Sequence, residues 1–151
     1  MNPAFCALLL WRAAKGYVIA NSEGLSFEEA FLILPMVLHR TTRETLPRDT
    51  RTSLAVWVNS NPLTQGCIAT HSKSLVPFTR ECLLFGGIRG ALQIERGRLR
   101  PNDDWQQRID RSLRDTSEEV RLCAKRAEFL GKWFAQTGDG MTVLALIGVR
   151  P

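Results

Sequence analysis

The 151-residue chain has only two histidines, His39 and His71, and neither stands at a metal-ligand spacing from Cys, Asp or Glu, which argues against a zinc site. No Cys-x-x-Cys pair occurs. The four cysteines, Cys6, Cys67, Cys82 and Cys123, are scattered in apolar surroundings and read as reduced thiols used as small hydrophobes, which points to the cytoplasm. No run reaches the roughly 18 to 20 uninterrupted apolar residues of a membrane span, so a membrane reading is rejected. The opening MNPAFCALLLWRAAKGYVIA has no basic stretch ahead of its apolar run, which Trp11, Arg12 and Lys15 interrupt; it reads as a packed helix rather than a leader. The glycine cluster FGGIRG at 85–90 lacks both the Gly-Lys-Ser/Thr ending of a phosphate loop and the spaced glycines of a dinucleotide fold, so no cofactor is implied. Neither a glycine-flanked serine elbow nor a recognisable cysteine motif accompanies either histidine. These absences disfavour an enzyme. Internal repeats and low-complexity segments are missing too.

The chain does have basic charge: 20 Lys and Arg against 15 Asp and Glu, a net charge of +5, with Arg far commoner than Lys. Guanidinium forks suit phosphate and carboxylate alike, so the excess admits either nucleic acid or an acidic protein surface. A chain of this length can bury roughly 70% of its unfolded surface, enough for one domain with a real core.

Periodicity predicts a mainly α fold with a small β-hairpin. Asn2 caps an opening helix over residues 3–15, with Pro3 in its first turn and Phe5, Leu8, Leu9 and Ala13 at helical spacing. In SFEEAFLILPMVLHRTTRETLP, residues 26–47, Ser26 and Glu29 form a capping box, Pro35 should bend the helix and Pro47 closes it. Its stretch from Phe31 to Leu38 is apolar on every side and should be surrounded by protein. TSLAVWVN at 52–59 reads as a short helix, although the run would pass for a strand. After a loop containing Gly66, residues 72–86 form a fourth helix with Leu75, Phe78, Cys82 and Phe85 on one stripe and Pro77 marking a bend or its start. GALQIERGRLRP, residues 90–101, is a hairpin turning at Arg96-Gly97. Thr116 to Gln136 is a long amphipathic helix with a Thr116/Glu119 capping box, and MTVLALIGV after Gly-Asp-Gly favours a closing strand. A helix, a turn, a second helix and then a hairpin is the order of a winged helix-turn-helix. The expected architecture is a winged-helix-like single domain, its core over about 26–101, with a C-terminal helix and closing strand in 102–151.

Two groups of residues stand out as candidate contacts. Arg89, Arg96, Arg98 and Arg100 surround the hairpin, with Arg80 on the preceding helix, and would suit DNA phosphates or an acidic surface. The preceding helix, however, lacks the row of polar residues that reads bases. Trp105, Trp133 and Phe134 are aromatics of the kind that anchor interfaces, core packing being the favoured role for Phe134.

NPAF at 2–5, FLILPMVLHRTTRETLP at 31–47, and GKWFAQTG at 131–138 with the ending GVRP together resemble the middle component of three-component ABC-ATPase conflict systems. This is the small subunit found beside an SMC-like or Rad50-like ATPase and a separate effector, as in Lamassu-type anti-phage defence. The resemblance spans almost the whole chain and implies a non-catalytic bacterial accessory subunit. The ATPase would hydrolyse ATP and sense DNA, and the effector, often a nuclease, would supply toxicity. The tail GDGMTVLALIGVRP would then fold back as a strand or partner-facing edge carrying Leu146 and Val149, with Arg150 at its rim. The alternatives are a stand-alone winged-helix DNA-binding regulator and an unrecognised enzyme.

Overall fold

A computed structural model describes residues 2–150. These residues are mainly helical, with one small three-stranded antiparallel sheet. Helix α1 (Pro3–Ala20) is capped as its sequence predicts, the Asn2 side chain accepting from the Ala4 and Phe5 N–H groups. It runs past the expected end at Lys15 as far as Ala20, because Gly16 and Tyr17 are buried and extend its packed face. Strand β1 (Leu25–Ser26) leads into α2 (Phe27–Leu38), where Ser26 and Glu29 form the complete capping box. Helix α2 runs through Pro35 to Leu38, and the chain leaves helical geometry at His39. His39 is extended, and its ring accepts from the Thr42 N–H to cap α3 (Arg40–Thr45). Helix α4 (Leu54–Ser60) settles the helix-or-strand ambiguity of TSLAVWVN.

The next segment departs from the expected loop. Pro62–Ser74 forms α5, with proline in its first turn, and Gly66 lies inside this helix; Val76–Ile88 forms α6, so Pro77 marks a helix start. Strands β2 (Leu92–Glu95) and β3 (Arg98–Pro101) form the hairpin. Positive φ values of 52° at Arg96 and 73° at Gly97 give the mirror-image turn that matches strand twist. β1 adds to β3, pairing Leu25 with Leu99, so the sheet order is β1-β3-β2. A short 3-10 turn (Asp103–Trp105) and α7 (Gln106–Arg114) precede α8 (Glu118–Thr137). The α8 cap is Ser117, which accepts from Val120 N–H, and not Thr116, whose hydroxyl donates to the Leu113 carbonyl.

The predicted closing strand is a helix, α9 (Gly140–Ile147). Asp139 caps it by accepting from Thr142 N–H at 2.8 Å. Gly148, at φ 85°, ends it, while Gly148 and Val149 N–H groups donate to the Ala145 and Leu144 carbonyls. Val143, Leu144 and Ile147 are buried, a helical and not an alternating spacing.

Helix α1 has the length and apolar content of a membrane-crossing segment, and half of it is buried within the molecule. Its two charges are paired, Arg12 with Glu128 and Lys15 with Asp103, each at 2.8 Å. Against it lies α8, whose Trp133 packs edge-on to Trp57 at 5.6 Å and donates from Nε1 to the Thr52 carbonyl. One apolar cluster runs from Cys6 on α1 to Ile147 on α9. The fold places α1 and α8 at its centre, so the core extends well beyond residues 26–101.

The capping box has a consequence for pH. Glu29 is fully buried; its Oε1 accepts from Ser26 N–H, while Oε2 has no partner among the described residues. Burial pushes its carboxyl above the ordinary range, outweighing the hydrogen bonds from Ser26 that lower it. The folded state therefore holds this proton more tightly than the unfolded chain. Stability from this group is fully present below the ordinary glutamate value, about 4.3, and is lost as pH rises through the higher folded value. Glu29→Gln keeps the Oε1 acceptor and removes the charge. Thermal melts at pH 4.5 and 7.5 should show the parent losing more Tm over that interval than the variant; parallel losses would assign the trend to another group.

Candidate functional site

The inner stripe of α6, with Thr79, Cys82, Leu83 and Gly86 buried, leaves Arg80, Leu84 and Ile88 on the opposite side at i, i+4, i+8 spacing. Leu84 is 65% exposed and Ile88 82%, where a solvated helix face would carry polar residues. Gly86 positions the neighbouring strand: a Cβ there would meet Leu92 Cδ1 at 2.7 Å, so its absence lets β2 close onto α6. That approach sets Ile94, 48% exposed, in the same cleft as Leu84 and Ile88. Phe27, packed edge-on against Phe31 at 5.2 Å, forms the facing wall.

A second cleft continues from this one, sharing Phe27 and Arg80, and is lined further by Phe31, Val76, Leu144 and Val149. Lys73 and Arg150 stand at its margin, with Glu28. The Schellman closure of α9 brings Val149 back beside Leu144. Together the clefts form an apolar groove along α6, between the hairpin at one end and the C-terminal residues at the other.

The sequence-predicted arginines are separated by this geometry. Arg80 lies in the groove, whereas Arg89 is on the other side of α6's end, its guanidinium 5.1 Å from the Phe85 ring. Arg98 donates to the Gly24 carbonyl at 3.3 Å and faces Glu23, and Arg100 donates to the Ser22 carbonyl. These two forks fasten the hairpin to the α1–β1 loop, so they are not free phosphate contacts. Arg96 alone of the three hairpin arginines is exposed at the turn without such a bond among the described residues.

The aromatic and tail candidates separate as well. Trp133 and Phe134 are 1% and 0% exposed, which makes both core residues rather than partner contacts, because α8 turns them toward α1 and α4. Trp105 is half-buried, with Arg108 stacked at 4.8 Å. Leu146 is half-buried, and its carbonyl accepts from Gln65 Nε2. Val149 and Arg150 do reach the groove.

Leu84, Ile88 and Ile94 are the surface residues that sequence reasoning missed. The signal was present in α6: once residues 75, 78, 82 and 85 define an inner stripe, Leu84 and Ile88 fall outside it. The two histidines, which the sequence did not bring together, lie with ring centroids 4.5 Å apart and planes tilted by 45°; no cluster of three or more metal-ligating side chains occurs among the described residues. Cys67 is exposed on α5, contrary to the apolar surroundings expected, while Cys6, Cys82 and Cys123 are buried.

A family model described as "ABC-three component (ABC-3C) system Middle Component 3" matches residues 1–151. The chain belongs to that family. No curated protein and no solved structure matches it.

Proposed function

We propose that this middle component is a non-catalytic, cytoplasmic accessory subunit that bridges or regulates an SMC-like (Rad50-like) ABC ATPase and a separate effector such as a nuclease, in Lamassu-type anti-phage defence. Its family name makes it one part of a multi-component system, and a part needs a docking face. The observation that carries the reading is the exposed apolar row of Leu84, Ile88 and Ile94 beside the groove. Isolated exposed apolar residues are ordinary, but a contiguous set on one face is a mark of protein contact.

Two aspartates at Leu84 and Ile88 test it. Both side chains are exposed, so Leu84→Asp with Ile88→Asp should leave Tm within a few degrees of the parent. Co-expressed with its ATPase and effector subunits, the double variant should retain about tenfold less partner or lower still, the loss expected when central interface anchors are removed. Undiminished co-purification would overturn the proposal that this face docks a partner.

A stand-alone winged-helix DNA binder is the second reading, and the topology favours it in one respect. The order α1–β1–α2, then α6–β2–β3, with the sheet arranged β1-β3-β2, supports winged-helix ancestry in which α3, α4 and α5 are inserted between the two helices of the motif. Against DNA reading stands the apolar outer face of α6, the helix that would enter a groove. Tight duplex binding by the isolated chain, lost in Arg96→Glu and falling steeply with salt, would favour this second reading.

A further inference from the structure

We propose that the groove along α6 receives one amphipathic helix from a partner subunit, an apolar face inward and acidic residues flanking it. This rests on the reading that the α6 face is the docking face, and adds the chemistry of its occupant. The lining is apolar at both ends, with Val76 and Val149 at one and Leu84, Ile88 and Ile94 at the other, and Arg80 lies between them, shared by both clefts. The outer side of α6 forms one side of the groove, and the start of α2, at Phe27 and Phe31, forms the other. From Val76 to Ile88, α6 is about 18 Å long at 1.5 Å per residue, room for roughly three turns of a helix. Apolar anchors at i, i+4 and i+7 on such a helix would reach the apolar lining at both ends.

Charge selects the flanks. Lys73, Arg80 and Arg150 line the groove, and among the described residues Glu28 is the one carboxylate that does. None of the three cations makes an ion pair or a side-chain hydrogen bond among the described residues. Arg12, Lys15, Arg43, Arg98 and Arg100 are each held by an acid or a carbonyl, while Arg96, Arg111 and Lys125 share the unpaired state of the groove cations without an apolar cleft beside them among the described residues. Unpaired cations beside and between two apolar clefts are complementary to a helix with carboxylates beside its apolar anchors. A strand added to the edge of β2 would meet Ile94 and leave the Val76 and Val149 end uncovered. A nucleic-acid backbone would find three cations separated by apolar surface that gives phosphates no partner.

The test uses the full co-expressed complex. A benzophenone amino acid introduced at Ile88, and separately at Arg150, is photolysed in the assembled complex, and the crosslinked peptides are identified by mass spectrometry. The expected result is that both positions crosslink to one partner segment, at residues about ten apart, with apolar residues at helical spacing and Asp or Glu beside them. The triple reversal Lys73→Glu, Arg80→Glu and Arg150→Glu should cut partner retention about tenfold at low salt, and less at high salt. Crosslinks to a basic segment, to a strand, to DNA or to a second copy of this chain would overturn the helix, while continued co-purification would leave the wider docking reading standing. An assembled complex with no crosslink from either position would overturn it in the same way. If no complex forms with either subunit, both readings fall together.

Discussion

Removing residues 141–151 should leave a chain that no longer melts cooperatively. The apolar ending belongs to the core: Val143, Leu144 and Ile147 are 0%, 3% and 0% exposed. Each such side chain contributes about 1.5–3 kcal/mol through burial, together roughly 5–9 kcal/mol. That is comparable with the whole stability of an ordinary domain, about 5–15 kcal/mol. The deletion does further damage. Gly140, at the start of α9, fits so closely over Ser26 that a Cβ on it would approach Ser26 Oγ at 2.5 Å, so losing α9 also opens the buried Glu29 capping box to water. Thermal denaturation together with dye binding to exposed apolar surface checks the expectation: no cooperative transition, and strong dye binding. A truncated chain with the parent's Tm that merely fails to hold its partners would instead make the tail a docking edge. Arg150→Ala is the matched control. It is exposed at the margin of the groove, so the variant should melt as the parent does.

The tail shows why some of the fold was legible in the sequence and some was not. Asn2, the Ser26/Glu29 box and the Arg96-Gly97 turn were readable because each is a local arrangement, satisfied by groups within three residues. MTVLALIGV misleads because its β-branched and aliphatic content outweighs two equally local signals, the Asp139 cap and the Gly148 stop. Helix α5 is hidden for the opposite reason. It buries only Ile68 and Ser72, so it has hardly any apolar stripe to detect, and Gly66 reads as a loop residue. The groove was least legible of all. Phe27, Arg80 and Val149 share one lining although they are far apart in the chain, and no local pattern brings them together. Trp133 and Phe134 have the composition of interface anchors, but only the packing of α8 on α1 shows them closed inside.

The same packing yields the other large effect, and it reverses the usual rule that alanine is a better helix residue than glycine. In α8, a Cβ on Gly131 would lie 1.9 Å from the Ala13 carbonyl oxygen and 2.8 Å from the Tyr17 nitrogen of α1. Gly16 answers it from α1, where a Cβ would lie 2.1 Å from the Glu128 carbonyl oxygen. Both obstacles are backbone, which no rotamer change relieves, so α1 and α8 must separate to admit a methyl group. Separation would loosen the contacts of Trp11 and Trp133, both buried, and lengthen the 2.8 Å Arg12–Glu128 pair. Overpacking of this kind costs about 1–3 kcal/mol and occasionally more; with backbone on both sides Gly131→Ala should cost about 3 kcal/mol. For a domain of this size that lowers Tm by roughly 6–12 °C. Gly66→Ala, on exposed α5 with no atom within 4 Å of the new methyl, should instead gain about 0.5–1 kcal/mol. Melting the two variants side by side separates helix propensity from steric closure. Equal and opposite signs are not required, but a Gly131→Ala protein as stable as the parent would mean that α1 and α8 do not meet as closely as their glycines imply.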